Sequence, residues 1–362
     1  MINHEIVLEK VNEVFIRTSK ITLEQQLELS EAFSCKIKDW WFNPKVKAGT
    51  WDGSIRYYNR NTCEFPTGLL PYFINWCKQF NYNYKFDFDV NDLKCDISDE
   101  EIDKIYQKVF KNSFKLREYQ NLAIRKALRS KRGIIEHPTA SGKSSLIYTL
   151  IRFALFTKDK KILLIVPSIN LVEQMFNDFI DYGWDTAESY VSLIYGTSKK
   201  KDLDKPIIVS TWQSIYKKDI SFFEDFGMVI CDEVHGTKAI SYKSILEKCI
   251  NAEYRIGLTG SLQDKEDKND KADHLTIVGY MGPVIAREST RDLIDKGFLS
   301  DIKIVNLLLK YEEKYINLTK FESYNYQQEI EIIQEHKKQK KVDLPVSHPD
   351  SIFWNFQRTF EK

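Results

Sequence analysis

Residues 137–144 read His-Pro-Thr-Ala-Ser-Gly-Lys-Ser, between the apolar triplet Gly133-Ile134-Ile135 and an apolar stretch with helical spacing. Gly-Lys-Ser at a strand-to-helix turn suits a phosphate chain, because helix-start N–H groups and the positive helix end favour anionic oxygens. Gly142 lets the backbone approach closely, Lys143 reaches the terminal phosphates, and the Ser144 hydroxyl can take a magnesium position. His137 stands where the strict G-x-x-x-x-G-K-[ST] pattern has its first glycine, so the match is incomplete. Further on, Met228-Val229-Ile230-Cys231 is an apolar run that ends in Asp232 and Glu233. Such carboxylates at a strand end can divide the work of phosphoryl transfer: Asp232 holds Mg²⁺ while Glu233 orients and deprotonates a water. Taken together, the two segments imply ATP hydrolysis.

Groups so far apart in the chain need a scaffold that gathers them. From about residue 114 onward, strand-like and helix-like segments alternate. Ile162-Leu163-Leu164-Ile165-Val166 is apolar throughout, as expected of a strand buried on both faces. Residues 191–195, 207–209, 228–231 and 254–258 supply further strands, and 143–156 and 169–182 read as helices. This alternation predicts a doubly wound α/β domain, a parallel sheet covered by helices whose ligands bind beyond the strands' carboxyl ends. The first hundred residues are richer in Trp, Tyr and Phe and read as a small α+β domain, with strands near 14–16 and 55–58 and helices over 22–33 and 69–80. The acidic stretch 96–103 suits the start of a helix running toward Phe110. The expected division is therefore 1–100, an accessory domain; 101–300, the nucleotide-binding lobe; and 301–362, the start of a linker or second lobe with an atypical tail. Residues 265–273 read as an exposed loop, 302–309 as one more strand, and 336–341 as a basic patch.

Composition sets the outer bounds. The 362 residues carry 53 Lys plus Arg against 52 Asp plus Glu, which excludes a grip on nucleic acid through bulk charge but leaves room for a local basic face. With 43% hydrophobic residues the chain can build a sizeable core, which excludes a disordered polymer. No run approaches a membrane span and the start has no secretory apolar region, so the expected place is the cytoplasm, that of a host cell if the gene is phage-borne. The six cysteines lack metal-ligand spacing and read as free thiols.

Six elements in order resemble the motifs of superfamily 2 helicases of the DExH kind. They are Leu116-Arg117-Glu118-Tyr119-Gln120; Pro138-Thr139-Ala140-Ser141-Gly142-Lys143-Ser144; Pro167-Ser168 with Leu171-Val172-Glu173-Gln174; Ser210-Thr211-Trp212-Gln213-Ser214; Asp232-Glu233-Val234-His235; and Thr259-Gly260-Ser261. Phe42-Asn43-Pro44, Gly49-x-Trp51-Asp52-Gly53-x-Ile55-Arg56 and Pro66-x-Gly68-Leu69 resemble the amino-terminal domain of the UvsW family of recombination and repair helicases from T-even-type phages. The resemblance implies a RecA-like lobe, ATP and Mg²⁺ as cofactors, and ATP-driven remodelling of branched DNA, including RNA–DNA hybrids. It implies that Gln120 recognises adenine with Arg117 also binding the cofactor, that residues 138–144 cradle the triphosphate, and that Lys143, Asp232, Glu233 and His235 serve hydrolysis, with Ser144 and Asp232 on the metal. Pro167, Ser168 and Thr211 would meet DNA, and Thr259, Gly260 and Ser261 would couple the nucleotide to DNA movement.

In the amino-terminal part, Lys36, Lys38, Lys45, Lys47, Arg56 and Arg60 crowd around Trp40, Trp41, Trp51, Tyr57 and Tyr58. Cations neutralise phosphates and aromatics stack on bases, so Lys45, Lys47, Trp51 and Arg56 are candidate DNA contacts, while most of the aromatics read as packing residues. The Q-x-x-G-R-x-x-R element of a second lobe is not found, since the sequence holds no Gly-Arg dipeptide. The expectation is an amino-terminal helicase half that binds ATP and DNA but turns over slowly, its second lobe lost or carried by another polypeptide. The alternatives are a DNA-binding module using ATP only as a conformational ligand, a truncated inactive fragment of a split helicase and, without a recognisable nuclease constellation, the motor of a restriction enzyme.

Overall fold

The computed structural model describes residues 5–37, 39–110, 114–157, 160–196, 202–234, 239–262 and 271–301. Near the amino terminus, β1 (Ile6–Lys10) and β2 (Phe15–Ser19) form an antiparallel pair. After helix Leu23–Ala32 come β3 (Ser34–Lys36) and β4 (Ser54–Arg56), a separate two-stranded ribbon. Next, β5 (Glu64–Pro66) joins the free side of β2, and β6 (Tyr84–Phe86) adds parallel to β1, giving the order β5-β2-β1-β6. The expected helices are present at Leu23–Ala32 and Leu70–Phe80. Thr22 starts the first of them by a capping box, accepting from the Gln25 N–H while the Gln25 side chain accepts from its own. A third helix, Asp99–Phe110, has three carboxylates in its first turn.

The larger sheet contains β7 (Arg132–Glu136), β8 (Lys161–Val166), β9 (Val191–Ile194), β10 (Ile207–Thr211), β11 (Phe226–Cys231), β12 (Tyr254–Thr259) and β13 (Val284–Arg287). All seven are parallel, in the order β13-β7-β12-β11-β8-β10-β9. This is the doubly wound RecA-like sheet of a P-loop fold. Successive residues of β8 serve opposite faces. Leu163 and Ile165 share one core with Tyr242, Ile245, Phe65 of the small sheet and Phe73 of helix Leu70–Phe80, whereas Ile162, Leu164 and Val166 share the other with helices Glu118–Ser130, Lys143–Thr157 and Ile169–Asp181.

One face of the large sheet thus shares a core with the amino-terminal residues. Residues up to Asp301 form a single compact unit. The contact runs through helix Lys271–Met281. Tyr57 donates to the Ala272 carbonyl at 2.9 Å and lies 2.5 Å from the Thr276 hydroxyl. Gly68 touches the same helix so closely that a β-carbon there would overlap the carbonyl oxygens of Val278 and Gly279, 2.6 Å from the latter. A second tie runs from Arg132 to the Glu13 carbonyl, at 2.9 Å.

Some segments differ from their sequence reading. The exposed loop over 265–273 falls largely outside the described residues, but from Lys271 onward the chain is helical, because Ala272, Leu275 and Ile277 bury themselves. Strand β13 was not expected from its four residues; it forms by pairing with β7. The strand expected over 302–309 and the basic patch 336–341 lie outside the described residues, as does Lys38. Among the described residues no helix is long and apolar enough to cross a membrane. None of the six cysteines forms a disulfide among the described residues.

Candidate nucleotide and nucleic-acid sites

The order of the large sheet explains how distant residues meet. Strands β7, β12 and β11 are neighbours, so the segments leaving their carboxyl ends, 137–144, 260–262 and 232–233, converge on one edge. Ala140 and Gly142 have positive φ (+64° and +83°), which winds the loop before helix Lys143–Thr157. A β-carbon at Gly142 would come within 2.5 Å of Gln120 Nε2, so the side chain of any other residue would be strained there in both backbone and space. Gln120 accepts from the Arg117 N–H at 2.9 Å and donates to the Ser141 carbonyl at 2.9 Å. Tyr119 donates to that carbonyl as well, at 2.6 Å.

Lys143 Nζ lies 3.2 Å from Glu233 Oε1 and 3.3 Å from the His137 carbonyl it donates to. Glu233, itself at φ +51°, accepts from the Gly260 N–H through Oε2 at 3.3 Å. Thr259 donates to the Ser261 carbonyl at 3.1 Å. Asp232 is buried, and its Oδ1 has no hydrogen-bond partner among the described residues. Burial, reinforced by the neighbouring Glu233 charge, pushes its carboxyl up to about 6. A buried carboxylate oxygen left without a donor, beside a lysine and a loop of helix-start N–H groups, fits a magnesium–phosphate group. Ser144 points elsewhere, its hydroxyl 2.7 Å from the Tyr182 hydroxyl. His235 lies outside the described residues.

The other half of the same sheet edge holds a second concavity. A cavity of about 610 Å³ opens at the carboxyl ends of β9 and β10, lined by Ser168, Ile194, Thr211, Gln213, Ser214 and Lys218 among others. Thr211 and Ser168 therefore share one wall, while Pro167 sits half-buried at the end of β8.

Candidates in the small domain are more dispersed. Lys45 and Lys47 are exposed, with Lys47 over the Phe42 ring at 5.7 Å. Arg56 is paired with Asp52 at 2.6 Å, which holds the Asp52 carboxyl well below the usual carboxylate range. Trp51 is half-buried and donates to the Ser54 carbonyl at 3.0 Å. Among the rings near these cations, Trp41 and Phe42 face solvent, 47% and 65% exposed, and they precede Trp51 in the chain, before helix Pro44–Lys47.

Residues 113–264 match the family described as Type III restriction enzyme, res subunit, and residues 12–87 match that described as DNA helicase UvsW, N-terminal. The chain is 32% identical over 321 residues to the ATP-dependent DNA helicase uvsW of Enterobacteria phage T4, covering 87% of this chain and 62% of that protein. It is 28% identical over 234 residues to the DNA 3'-5' translocase XPB2 of Sulfurisphaera tokodaii, covering 64% and 47%. A crystal structure of the UvsW helicase from bacteriophage T4 superposes with a TM-score of 0.69 at 30% identity, covering 77% of this chain and 99% of that one. The chain belongs to the UvsW helicase family. It spans about half to two-thirds of the length of these two curated relatives.

Several side chains in the UvsW-like site escaped the sequence reading. Tyr119 lies inside the quoted Leu116–Gln120 element, yet only the fold shows its hydroxyl on the phosphate loop. Glu136, just before that loop, accepts from the Leu262 N–H at 3.0 Å. Phe298 packs on Tyr119 (5.4 Å between centroids) and under the Arg117 guanidinium at 5.1 Å. Neither Tyr182 nor Phe298 carries any local signal, since their roles arise from tertiary contact.

Proposed function

We propose that this chain is the amino-terminal motor half of an ATP-driven DNA helicase acting on branched DNA in recombination and repair, with the small domain contacting the DNA. The reading rests above all on one arrangement: Lys143 within 3.2 Å of Glu233, with Asp232 just before it, its Oδ1 without a partner among the described residues. The loop over 138–144 and Lys143 would bind the triphosphate, and Asp232 would hold Mg²⁺, joined by Ser144 once its hydroxyl turns away from Tyr182. Bound magnesium would offset the charge on the phosphate oxygens. Arg117 and Gln120 would meet the base. Glu233 would leave Lys143 to orient the attacking water and take its proton, while Gly260 would lose its acceptor and signal occupancy to the loop over 259–261. His235 would join this coupling. DNA would follow the groove past Ser168 and Thr211, with Lys45, Lys47, Trp51 and Arg56 on a second surface.

The arginines that stabilise transferring phosphate in such motors would come from a second lobe, in trans or further along the polypeptide. Such arginines are worth roughly 10³–10⁵ in rate, so this chain by itself should hydrolyse slowly. The test compares the chain with Lys143→Ala and Glu233→Gln for nucleotide binding, hydrolysis and binding to forked DNA. The motor reading expects detectable hydrolysis lost in both variants. DNA binding that is intact and indifferent to nucleotide would instead support a binding module.

A further inference from the structure

The loop after β12 is stitched to the phosphate-loop side of the sheet at three points. The His137 N–H donates to the Thr259 carbonyl at 3.0 Å, the Gly260 N–H to Glu233 Oε2 at 3.3 Å, and the Leu262 N–H to Glu136 Oε1 at 3.0 Å. The two carboxylates that hold it differ in what else they do. Glu233 also faces Lys143, so its grip on Gly260 competes with any work it does on phosphate or water. Glu136 has no such duty. It ends β7 and sits in the sheet by accepting, at its own carbonyl, from the Glu288 N–H (3.0 Å). Its second oxygen is taken by Arg287 Nε at 2.6 Å. Charge-assisted bonds of this kind are the stronger ones, and here both partners are strand residues of one sheet.

We infer that Glu136 is a positioning residue that anchors the far end of the 259–262 loop, so that release of Gly260 by Glu233 moves the loop about a fixed point. This rests on the nucleotide-driven reading of the site and deepens it. A loop held at both ends by exchangeable contacts would loosen when a nucleotide arrives. With Leu262 pinned, the same event becomes a directed displacement of Gly260 and Ser261. Arg287, itself exposed, pairs with the second oxygen of the Glu136 carboxylate and orients it.

The experiment uses the whole chain, a forked DNA oligonucleotide read by fluorescence anisotropy, and a non-hydrolysable ATP analogue with Mg²⁺. The unaltered chain is expected to change its DNA affinity by about fivefold or more when the analogue is present, a usual coupling between linked sites. Glu136→Ala should cut that change to less than about twofold while analogue affinity, titrated separately, stays within about threefold. Glu136→Gln keeps an acceptor oxygen for Leu262 and should retain the coupling. Leu262→Pro removes the donor from the other side and should lose it, which decides the matter if Glu136→Ala does not fold. Coupling that survives Glu136→Ala or Leu262→Pro overturns the inference alone. Equal loss of analogue binding in Glu136→Ala and Glu136→Gln overturns it too, marking a merely structural residue. An unaltered chain that binds no Mg²⁺–analogue overturns the functional reading and this inference with it.

Discussion

The edge of the large sheet and the face of the small domain both gather charged residues, but in opposite ways. At the edge, Lys143, Asp232, Glu233 and Glu136 are half or fully buried and each is placed by a strand end or a helix start. On the small domain, Lys45, Lys47, Arg56 and Asp52 stand in solvent, the last two satisfied by one another. Low dielectric makes a buried group's energy depend steeply on its partners, whereas an exposed group acts mainly through the field it adds to its neighbours. Chemistry should therefore be concentrated in single residues at the first site and spread over many at the second.

The largest contrast is expected at Lys143. Lys143→Ala removes the cation 3.2 Å from Glu233 and beside the proposed phosphates, so nucleotide affinity should fall on the order of 100-fold, about 3 kcal/mol. Titration with a fluorescent nucleotide measures it. A loss of less than about threefold would mean that the edge is no more concentrated than the small domain's face.

His137 gives a similar magnitude through pH. It is 1% exposed with neither ring nitrogen partnered among the described residues. Burial lowers its pKa from 6.5 to about 4, with Glu288 opposing and Lys143 assisting. The unfolded chain takes up this proton near 6.5 and the folded one only near 4, so stability is lost as pH falls through that window, by about 3 kcal/mol. Asp232 works against it: raised from 3.8 to about 6, it is protonated first in the folded state and gains stability as pH falls across its own window. Denaturant melts of the chain and of His137→Met, compared from pH 7 down to pH 4, isolate the histidine. The variant should lose less stability on acidification, and parallel curves would refute the assignment.

The sequence made one of these sites far more legible than the other. Residues 137–144 and 232–233 carry their function in adjacent letters, because a strand end and a helix start fix backbone and side chain together. The apolar runs also predicted β8, β10 and β11, since a strand buried on both faces is mostly apolar, and β12 was expected as well although Arg255 is buried within it. What could not be read depends on partners far along the chain. Glu136 looks like any polar strand end until Leu262 is seen above it, and β13 is too short to show a pattern. Gly68 was visible as part of Pro66-x-Gly68-Leu69, but nothing local says that a helix more than two hundred residues away needs its missing side chain.

Gly68 sharpens the comparison at intermediate size, because it lies where the two regions join. Gly68→Ala forces a methyl group against the Val278 and Gly279 carbonyls, and overpacking of this kind typically costs 1–3 kcal/mol, here expected at about the upper end. A lowered denaturation midpoint with Mg²⁺–nucleotide affinity unchanged would show that the small domain steadies the lobe without shaping its site. An unchanged midpoint would mean that the two layers are not locked together there.

The smallest effects belong to the exposed face. Arg56→Ala should change stability by no more than ~0.5 kcal/mol, because an exposed ion pair contributes little. Its effect on DNA should be a modest loss of affinity and a decrease of roughly one in the slope of log affinity against log salt, as for a single phosphate contact. Asp52→Asn offers the opposite change at the same spot: it removes the charge that now occupies Arg56 and should tighten binding to DNA. If the two substitutions act in the same direction, Arg56 serves Asp52 and not phosphate, and the basic face must be redrawn around Lys45, Lys47 and the exposed rings of Trp41 and Phe42.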